Sequence, residues 1–229
     1  MPNERRLFII GASHMGREME SWLELIPKAK RYWRLIGFLH TATNPSPLVG
    51  RPTDHRILGS WEDYAVSRED LAVVAVADPL WKERIYNHLH GKLTFFTYVA
   101  PDAIIGKFSR IDEGSIIYPK CVISTNVTIG KCVIVNSRTG LGHDVNVGDF
   151  SSIMASVSLG GQVQVGKRVF IGSKALVIPK TVVEDDSTVG AGSVVIKSVK
   201  SFTTVFGNPA RAIQAKGRGR NEGSLSRSS

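Results

Sequence analysis

The sequence lacks the features that mark membrane-spanning, secreted and disulfide-bonded proteins. Its two cysteines, Cys121 and Cys132, are too few for a disulfide framework or a cysteine metal cluster. No run approaches the roughly 18 apolar residues that span a bilayer, and residues 1–6 lack the apolar core of a signal peptide. Hydrophobic residues make up 42% of the chain and charged residues 21%, as in ordinary globular proteins. We therefore expect a cytoplasmic protein with no membrane partner and no metal.

Acidic residues are also scarce. The 229 residues include 20 Asp and Glu against 29 Lys and Arg, a formal net charge of +9. This excess suits polyanionic partners such as a nucleotide sugar, coenzyme A or nucleic acid, without choosing among them. Part of it lies in residues 214–229, which are rich in Gly, Ser and Arg and are expected to form a disordered basic tail. Proteins that bind single-stranded nucleic acid interleave basic and aromatic residues, and the chain beyond residue 99 lacks this pattern. No nucleic acid partner is therefore expected.

Tryptophan is absent after Trp81, and the part that holds all four tryptophans has its own pattern. Within residues 1–96, short apolar runs alternate with segments of helical spacing. The predicted strands are 6–10, 35–39, 71–77 and 93–99, and the predicted helices are 15–30 and 79–88. This alternation favours a small α/β domain with a parallel, Rossmann-like sheet over residues 1–96.

Residues 97–213 follow a hexapeptide period instead. Every sixth residue from Val99 to Val195 is aliphatic, at seventeen positions without exception, and the residue four further on is always small or β-branched. An α-helix would scatter these aliphatic residues over three faces. An unbroken strand would bring the second residue after each aliphatic one, which is often charged, onto the aliphatic face. The chain must therefore turn once per hexapeptide, which predicts an all-β parallel β-helix, and glycines that recur in every third hexapeptide predict three hexapeptides per coil.

This [LIV]-[GAED]-x-x-[STAV]-x pattern resembles the left-handed β-helix of the hexapeptide acyltransferases. The segment G-N-P-A-R at residues 207–211 is similar to the one that follows the last coil in that family. With G-A-S-H-M-G at residues 11–16 of an α/β domain, the chain resembles the subgroup of sialic acid O-acetyltransferases and UDP-4-amino-sugar N-acetyltransferases. The resemblance implies a homotrimer with active sites between subunits. It also implies acetyl transfer from acetyl-CoA, in the leading interpretation to the amine of a nucleotide-linked sugar for polysaccharide biosynthesis.

His143 alone of the six histidines lies within the repeat, in the outward i+2 slot. A plain surface histidine is the alternative interpretation. Residues 141–144, L-G-H-D, match the place where the family has its catalytic histidine followed by an acidic residue. The resemblance therefore implies that His143 is the general base and that Asp144 orients its imidazole. Gly161, one coil of three hexapeptides further on, is expected to offer its N–H to the developing oxyanion, and no cysteine nucleophile is expected.

The remaining site residues come from the same resemblance. The cofactor contacts of the family fall on Ser152, Gly161, Ser173 and Ala191, and its asparagine near the acceptor falls on Asn136. Residues 11–16 lack the G-x-G-x-x-G fingerprint of dinucleotide binding, so NAD is not expected. The acceptor pocket is expected to be lined by Ser13, His14, Met15, His40, Thr41 and Ala77. The residues of this pocket differ from those of the family at three places, which leaves the identity of the nucleotide open.

Two other functions stay open at this point. An O-acetyltransferase on a sialic-acid-like or other sugar hydroxyl would use the same base. A non-catalytic β-helix, such as an ice-binding or assembly protein, would use the prism surface alone. Ice binding favours repeated Thr-x-Thr on one flat face, whereas the outward slots here mix Lys, Asp, Ser and Gly.

Overall fold

The computed structural model describes residues 4–41 and 48–213, so the predicted basic tail lies outside the described residues. The chain begins with five parallel strands and two helices, which are β1 (Arg5–Ile10), α1 (His14–Leu23), β2 (Trp33–His40), β3 (Ile57–Ser60), β4 (Leu71–Val74), α2 (Pro79–Leu89) and β5 (Thr94–Phe95). A 3-10 turn covers Lys28–Lys30. The strands form one sheet in the order β3-β2-β1-β4-β5. Neither helix of the described ranges has the length and hydropathy of a membrane span.

The alternation of side chains along β1 explains why the helices cover opposite faces of this sheet. Leu7 packs in one buried cluster with Met19 of α1, while Phe8 packs in a second cluster with Ile85 and Leu89 of α2. Because both of its faces are covered, β1 is a continuous apolar run from Leu7 to Ile10. Such runs are typical of strands in parallel sheets that have helices on both sides. The predicted Rossmann-like α/β unit is confirmed.

Three element predictions need correction. The predicted helix 15–30 ends at Leu23, because Pro27 disfavours helical backbone in the residue before it. The predicted strand 93–99 is two strands: Thr94–Phe95 joins the first sheet, and Tyr98–Val99 joins the structure that follows. Strand β3 was not predicted, because a short segment containing Gly59 gives too weak a pattern.

Seventeen short strands follow, and each ends on one of the predicted aliphatic residues. They are β6 (Tyr98–Val99), β7 (Ile104–Ile105), β8 (Arg110–Ile111), β9 (Ile116–Ile117), β10 (Val122–Ile123), β11 (Thr128–Ile129), β12 (Ile134–Val135), β13 (Gly140–Leu141), β14 (Asn146–Val147), β15 (Ser152–Ile153), β16 (Ser158–Leu159), β17 (Gln164–Val165), β18 (Phe170–Ile171), β19 (Leu176–Val177), β20 (Val182–Val183), β21 (Thr188–Val189) and β22 (Val194–Val195). The longer strands β23 (Thr204–Gly207) and β24 (Ala210–Ile213) close the end.

The short strands stack into a prism with three faces. Strands pair in parallel at an offset of three hexapeptides, as Ile123 does with Leu141 and Leu141 with Leu159. Face 1 contains β6, β9, β12, β15, β18 and β21, face 2 contains β7, β10, β13, β16, β19 and β22, and face 3 contains β8, β11, β14, β17 and β20. The aliphatic residues from Ile117 to Val195 are buried inside. This confirms a parallel β-helix with three hexapeptides per coil.

The chain turns at three corners per coil. Corner A joins face 1 to face 2, corner B joins face 2 to face 3, and corner C joins face 3 to face 1. At the turns from Phe108 to Gly192, the third residue after the aliphatic one has left-handed backbone, for example Arg138 at corner A (φ 60°), Asp144 at corner B (φ 59°) and Phe150 at corner C (φ 63°). Asp adopts this conformation more readily than most residues, so Asp144 suits its position.

The first sheet and its helices pack against face 1. The outward side chains Ile116, Ile134 and Ser152 of that face are fully buried. The hydrogen bonds that cross the contact include those of Lys82 Nζ to the carbonyl of Ser151 at 2.8 Å, of Ser152 Oγ to the carbonyl of Ala77 at 2.6 Å, and of Tyr98 OH to the carbonyl of Trp22 at 2.8 Å. Face 1 and the adjoining corner C therefore form the attachment surface, since α2 also contacts Phe150 and Arg168 at that corner.

The buried Lys82 makes stability depend on pH. Desolvation lowers its pKa from 10.5 to about 7, and the nearby carboxylate of Asp78 only partly opposes this. Between these two values the folded chain binds fewer protons than the unfolded chain, so the free energy of unfolding rises with pH. We expect a rise of about 2 kcal/mol between about pH 7.5 and 9.5 in wild type and a smaller rise in Lys82→Met, measured by urea denaturation. Equal rises in the two proteins would show that Lys82 keeps its proton when folded.

Candidate active site

His143 and Asp144 form an exposed hydrogen-bonded pair at corner B. His143 Nδ1 lies 2.7 Å from Asp144 Oδ2, and Asn126 Nδ2 donates to Asp144 Oδ1 at 2.6 Å. These two hydrogen bonds, that of His143 first, hold the pKa of Asp144 below its usual value. Because an ionised carboxylate only accepts hydrogen bonds, the neutral imidazole carries its proton on Nδ1 and its lone pair on Nε2. The pair therefore presents a base at Nε2.

Gly161 lies against the imidazole from the next coil. A methyl group on Gly161 would lie 2.4 Å from His143 Nε2, so a side chain there displaces the imidazole. Within the described ranges, the Gly161 N–H donates to no acceptor. At the same slot of corner C, by contrast, the N–H of Lys131 donates to Asp149 Oδ1 of the next coil at 3.0 Å. A base and a free N–H donor thus share one small space, the arrangement that acyl transfer requires.

Of the predicted cofactor and acceptor residues of the β-helix, Gly161 lies beside His143 and the others lie elsewhere. Ser173 and Ala191 occupy equivalent slots in successive coils of corner A, and Asn136 lies lower on the same corner. Asn136 is buried, and its Oδ1 accepts from the backbone N–H of Ser137 at 2.6 Å. Within one chain, the full width of face 2 separates these residues from His143.

Ser152 lies on neither corner. It is on face 1, fully buried beneath the N-terminal unit, where its hydroxyl donates to the carbonyl of Ala77. This placement gives the hydroxyl a structural partner and separates it from His143 at corner B.

A pocket of about 290 Å³ lies at the carboxyl ends of β1, β2 and β4. This is the point of the sheet where the strand order reverses, the usual ligand site of open parallel sheets. Four of the six residues predicted to bind the acceptor line it, namely Ser13, His40, Thr41 and Ala77. His40 Nδ1 accepts from the backbone N–H of Ala12 at 3.2 Å, and burial lowers the pKa of His40. The imidazole is therefore neutral at physiological pH.

The other two predicted pocket residues have different surroundings. His14 Nε2 accepts from Arg51 Nη1 at 2.7 Å, and Met15 packs against the hydrophobic core. Neither is among the described residues that line the pocket. Trp61 and Trp81 line it instead, although no residue pattern singled them out. The sequence offered one signal for them, which is that all four tryptophans lie in the part of the chain that ends at Trp81.

Known acyltransferases are similar to this chain in sequence. The family model for the hexapeptide repeat of succinyl-transferase matches residues 162–197. A GDP-perosamine N-acetyltransferase of Escherichia coli is 31% identical over 149 residues, which cover 62% of this chain and 66% of that protein. This chain therefore resembles the hexapeptide-repeat acyltransferases in sequence. A serine acetyltransferase of Staphylococcus epidermidis is 29% identical over 170 residues, 69% of this chain and 76% of that protein.

Solved structures share the fold of this chain over nearly its whole length. The acetyltransferase domain of PglB from Neisseria gonorrhoeae, in complex with acetyl coenzyme A, has a TM-score of 0.79 and 25% identity. The match covers 92% of this chain and 100% of that one. PerB from Caulobacter crescentus, in complex with CoA and GDP-perosamine, has a TM-score of 0.74 and 22% identity, over 90% and 96% of the two chains. The α/β unit and the β-helix therefore occur together in known acetyltransferases.

Proposed function

We propose that this chain transfers the acetyl group of acetyl-CoA to the amine of a nucleotide-linked amino sugar. The observation that carries the proposal is the imidazole of His143, bound to Asp144 through Nδ1, lying against Gly161, whose N–H has no acceptor among the described residues. The acceptor class is supported by the E. coli relative, which is named a GDP-perosamine N-acetyltransferase, and by the fold shared with PerB. In this proposal, residues 1–96 bind the acceptor and residues 97–213 carry the transfer.

In the proposed mechanism, the acceptor amine attacks the thioester carbonyl of acetyl-CoA while Nε2 of His143 removes its proton. The Gly161 N–H stabilises the oxyanion of the tetrahedral intermediate, an effect typically worth about 3 kcal/mol. The intermediate collapses to the amide, and the CoA thiolate takes the proton back from the imidazolium. Asp144 keeps the imidazole in the tautomer with Nε2 free.

The transfer is proposed to be direct, with no acyl-enzyme intermediate. Both cysteines are buried, and burial raises the pKa of Cys121 to about 11 and that of Cys132 to about 12. A thiol in this state has almost no thiolate at neutral pH and makes a poor nucleophile.

The pocket at the carboxyl edge of the first sheet is the proposed nucleotide site. Trp61 and Trp81 offer aromatic surface for a base, and the guanidinium of Arg84 lies 4.9 Å from the ring centre of Trp81. Ser13 precedes α1 without a side-chain cap, so the first N–H groups of that helix are available to phosphate.

We also propose that the enzyme is a homotrimer with sites between subunits. The base lies at corner B and the expected cofactor residues Ser173 and Ala191 lie at corner A, so one chain cannot bring them together. Corner A of a neighbouring chain would complete the site if face 2 were the contact. That face carries apolar outward side chains at Ile104, Val122 and Leu176, which are 62%, 50% and 41% exposed. Their burial favours association.

Leu176→Asp is expected to break the trimer, because it places a charge in the proposed contact. Light scattering should give wild type a mass of three times 25.0 kDa and the variant a single chain mass. The matched control is Val182→Asp, on face 3 at 39% exposure, which should stay trimeric. A wild-type protein that is monomeric, or a variant that keeps its mass, contradicts the proposed contact.

A substrate panel tests the proposed function. Purified protein is mixed with acetyl-CoA and with pairs of nucleotide-linked sugars that differ only in an amine or a hydroxyl, and free CoA thiol is measured. Thiol release with the amines alone supports N-acetylation. Release with the hydroxyl sugars alone assigns the enzyme as an O-acetyltransferase, and CoA binding without release in any mixture indicates a non-catalytic β-helix.

A further inference from the structure

Asn126 lies directly beneath Asp144 at corner B. The two residues occupy the same slot of successive coils, and both have left-handed backbone, with φ values of 57° and 59°. The coils are in register here, since the backbone N–H of Asp144 donates to the carbonyl of Thr125 at 3.1 Å. Asn126 Nδ2 donates to Asp144 Oδ1 at 2.6 Å, while Asp144 Oδ2 lies 2.7 Å from His143 Nδ1. One oxygen of the carboxylate therefore binds the imidazole and the other binds Asn126.

A contact between the same slots of two coils also occurs at corner C, but with different electrostatics. Arg168 donates two hydrogen bonds to Asp186 one coil above it, at 2.7 and 2.8 Å. A guanidinium compensates the charge of the carboxylate that it binds, whereas an amide is neutral and leaves that charge in place. The donor at corner B therefore fixes the carboxylate of Asp144 without compensating its charge, which stays available to His143.

The charge of Asp144 acts on His143 with little competition from other groups. The hydrogen bonds from His143 and Asn126, in that order, lower the pKa of Asp144, and among the described residues His143 supplies the one charge that also lowers it. In these two columns of slots, Lys107 stands two coils below His143 and Lys180 two coils above Asp144, each roughly 10 Å away along the prism. Both lysines are exposed, and exposed charges at that separation are largely screened by salt. The adjoining outward side chains of face 3 are neutral amides, Asn146 and Gln164.

We propose that Asn126 is a positioning residue, which holds Asp144 so that His143 keeps its proton on Nδ1 and its lone pair on Nε2. The inference rests on the proposed function, because it concerns the base of that reaction. A carboxylate bound through one oxygen alone rotates away from the imidazole more readily, and a neutral imidazole without that partner populates both tautomers. With Asp144 Oδ1 bound to Asn126, Oδ2 stays directed at His143 Nδ1. Asn126 thus acts on the reaction through Asp144.

Asn126→Gly tests this role, because glycine accepts left-handed backbone and removes only the amide. Nitrogen-15 NMR of protein labelled at histidine reports the tautomer of His143 and needs no acceptor. Wild type is expected to show the Nδ1–H tautomer, and Asn126→Gly a mixture of both tautomers. With the amine acceptor that the substrate panel identifies, kcat should fall about fivefold, as expected for one exposed hydrogen bond. The control is Asn146→Ala, which removes an exposed amide of face 3 and should match wild type in both measurements.

Asp144→Asn supplies the background in which Asn126 should no longer matter. Asparagine suits the left-handed backbone and removes the charge that fixes the tautomer. If Asn126 acts through Asp144, Asn126→Gly/Asp144→Asn should be no slower than Asp144→Asn alone. An unchanged tautomer or an unchanged kcat in Asn126→Gly, or a loss of kcat that persists in the Asp144→Asn background, overturns the inference and leaves the proposed function intact. A wild-type chain that releases thiol with no acceptor contradicts the proposed function itself, whereas the NMR comparison still decides whether Asn126 orients the pair.

Discussion

His143→Ala is expected to lower kcat at least ~100-fold, the usual contribution of a positioned general base. The variant should fold normally, because the imidazole is 57% exposed and its neighbours are Asp144 beside it and the bare backbone of Gly161. It should also bind CoA with unchanged affinity, because the base acts on the acceptor's proton. Initial rates with both substrates at saturation, thermal unfolding and CoA titration measure the three quantities.

Thr125→Ala is the control for this variant. Thr125 occupies the same exposed slot one coil below His143, and its Oγ1 donates only to the carbonyl of Lys107. Its kcat should match wild type. A His143→Ala enzyme that turns over as fast as Thr125→Ala would remove His143 from the mechanism.

Gly161→Ala is expected to be nearly as damaging as the loss of the base, about 100-fold in kcat. The added methyl group would lie 2.4 Å from His143 Nε2, which forces the imidazole away from Asp144 and from the reacting amine. The backbone itself accepts alanine, because Ala155 and Ala191 occupy the same position of their hexapeptides. Thermal unfolding should therefore change little while kcat falls.

The double variant His143→Ala/Gly161→Ala shows how the methyl group acts. If it acts by displacing the imidazole, the double variant should be no slower than His143→Ala, because residues that act as a unit are not additive. Losses that multiply would show that Gly161 has an effect independent of His143. The affinity for CoA, measured on each variant, separates this from a simple block of the cofactor.

The β-helix could be predicted from the sequence because its interior imposes one strict rule. Each aliphatic residue from Ile117 to Val195 points into the prism, so the hexapeptide period is a direct record of the fold. The His143–Asp144 pair was equally accessible, since the two residues are adjacent in the chain. Gly161 follows from the coil length of three hexapeptides, which places it directly above His143.

The division of the expected site between two corners was also present in the numbering. Positions that differ by three hexapeptides share a corner, as His143 and Gly161 do. Ser173 lies five hexapeptides after His143, a whole coil plus two further corners, and therefore stands on corner A. A residue-by-residue resemblance to the family takes no account of this spacing. The structure shows that face 2 separates the two corners.

The α/β unit was less accessible because its pocket depends on contacts between distant segments. Met15 and Ser13 are close neighbours in the chain, yet Met15 packs on the core while Ser13 lines the pocket. Ser152 is outward-facing by the repeat rule, but the N-terminal unit covers it and Ala77 accepts the hydrogen bond of its hydroxyl. Neither periodicity nor composition reports which face of the prism another unit will cover.

The central claim is that acyl transfer takes place between His143 and Gly161, and a crystal structure of the enzyme with CoA bound tests it most directly. The CoA sulfur is expected beside His143 Nε2 and the Gly161 N–H. An acetyl group on that sulfur would then have its reacting carbon within about 3.5 Å of the attacking amine. CoA bound with its sulfur away from corner B, and with His143 in contact with solvent alone, would contradict the claim.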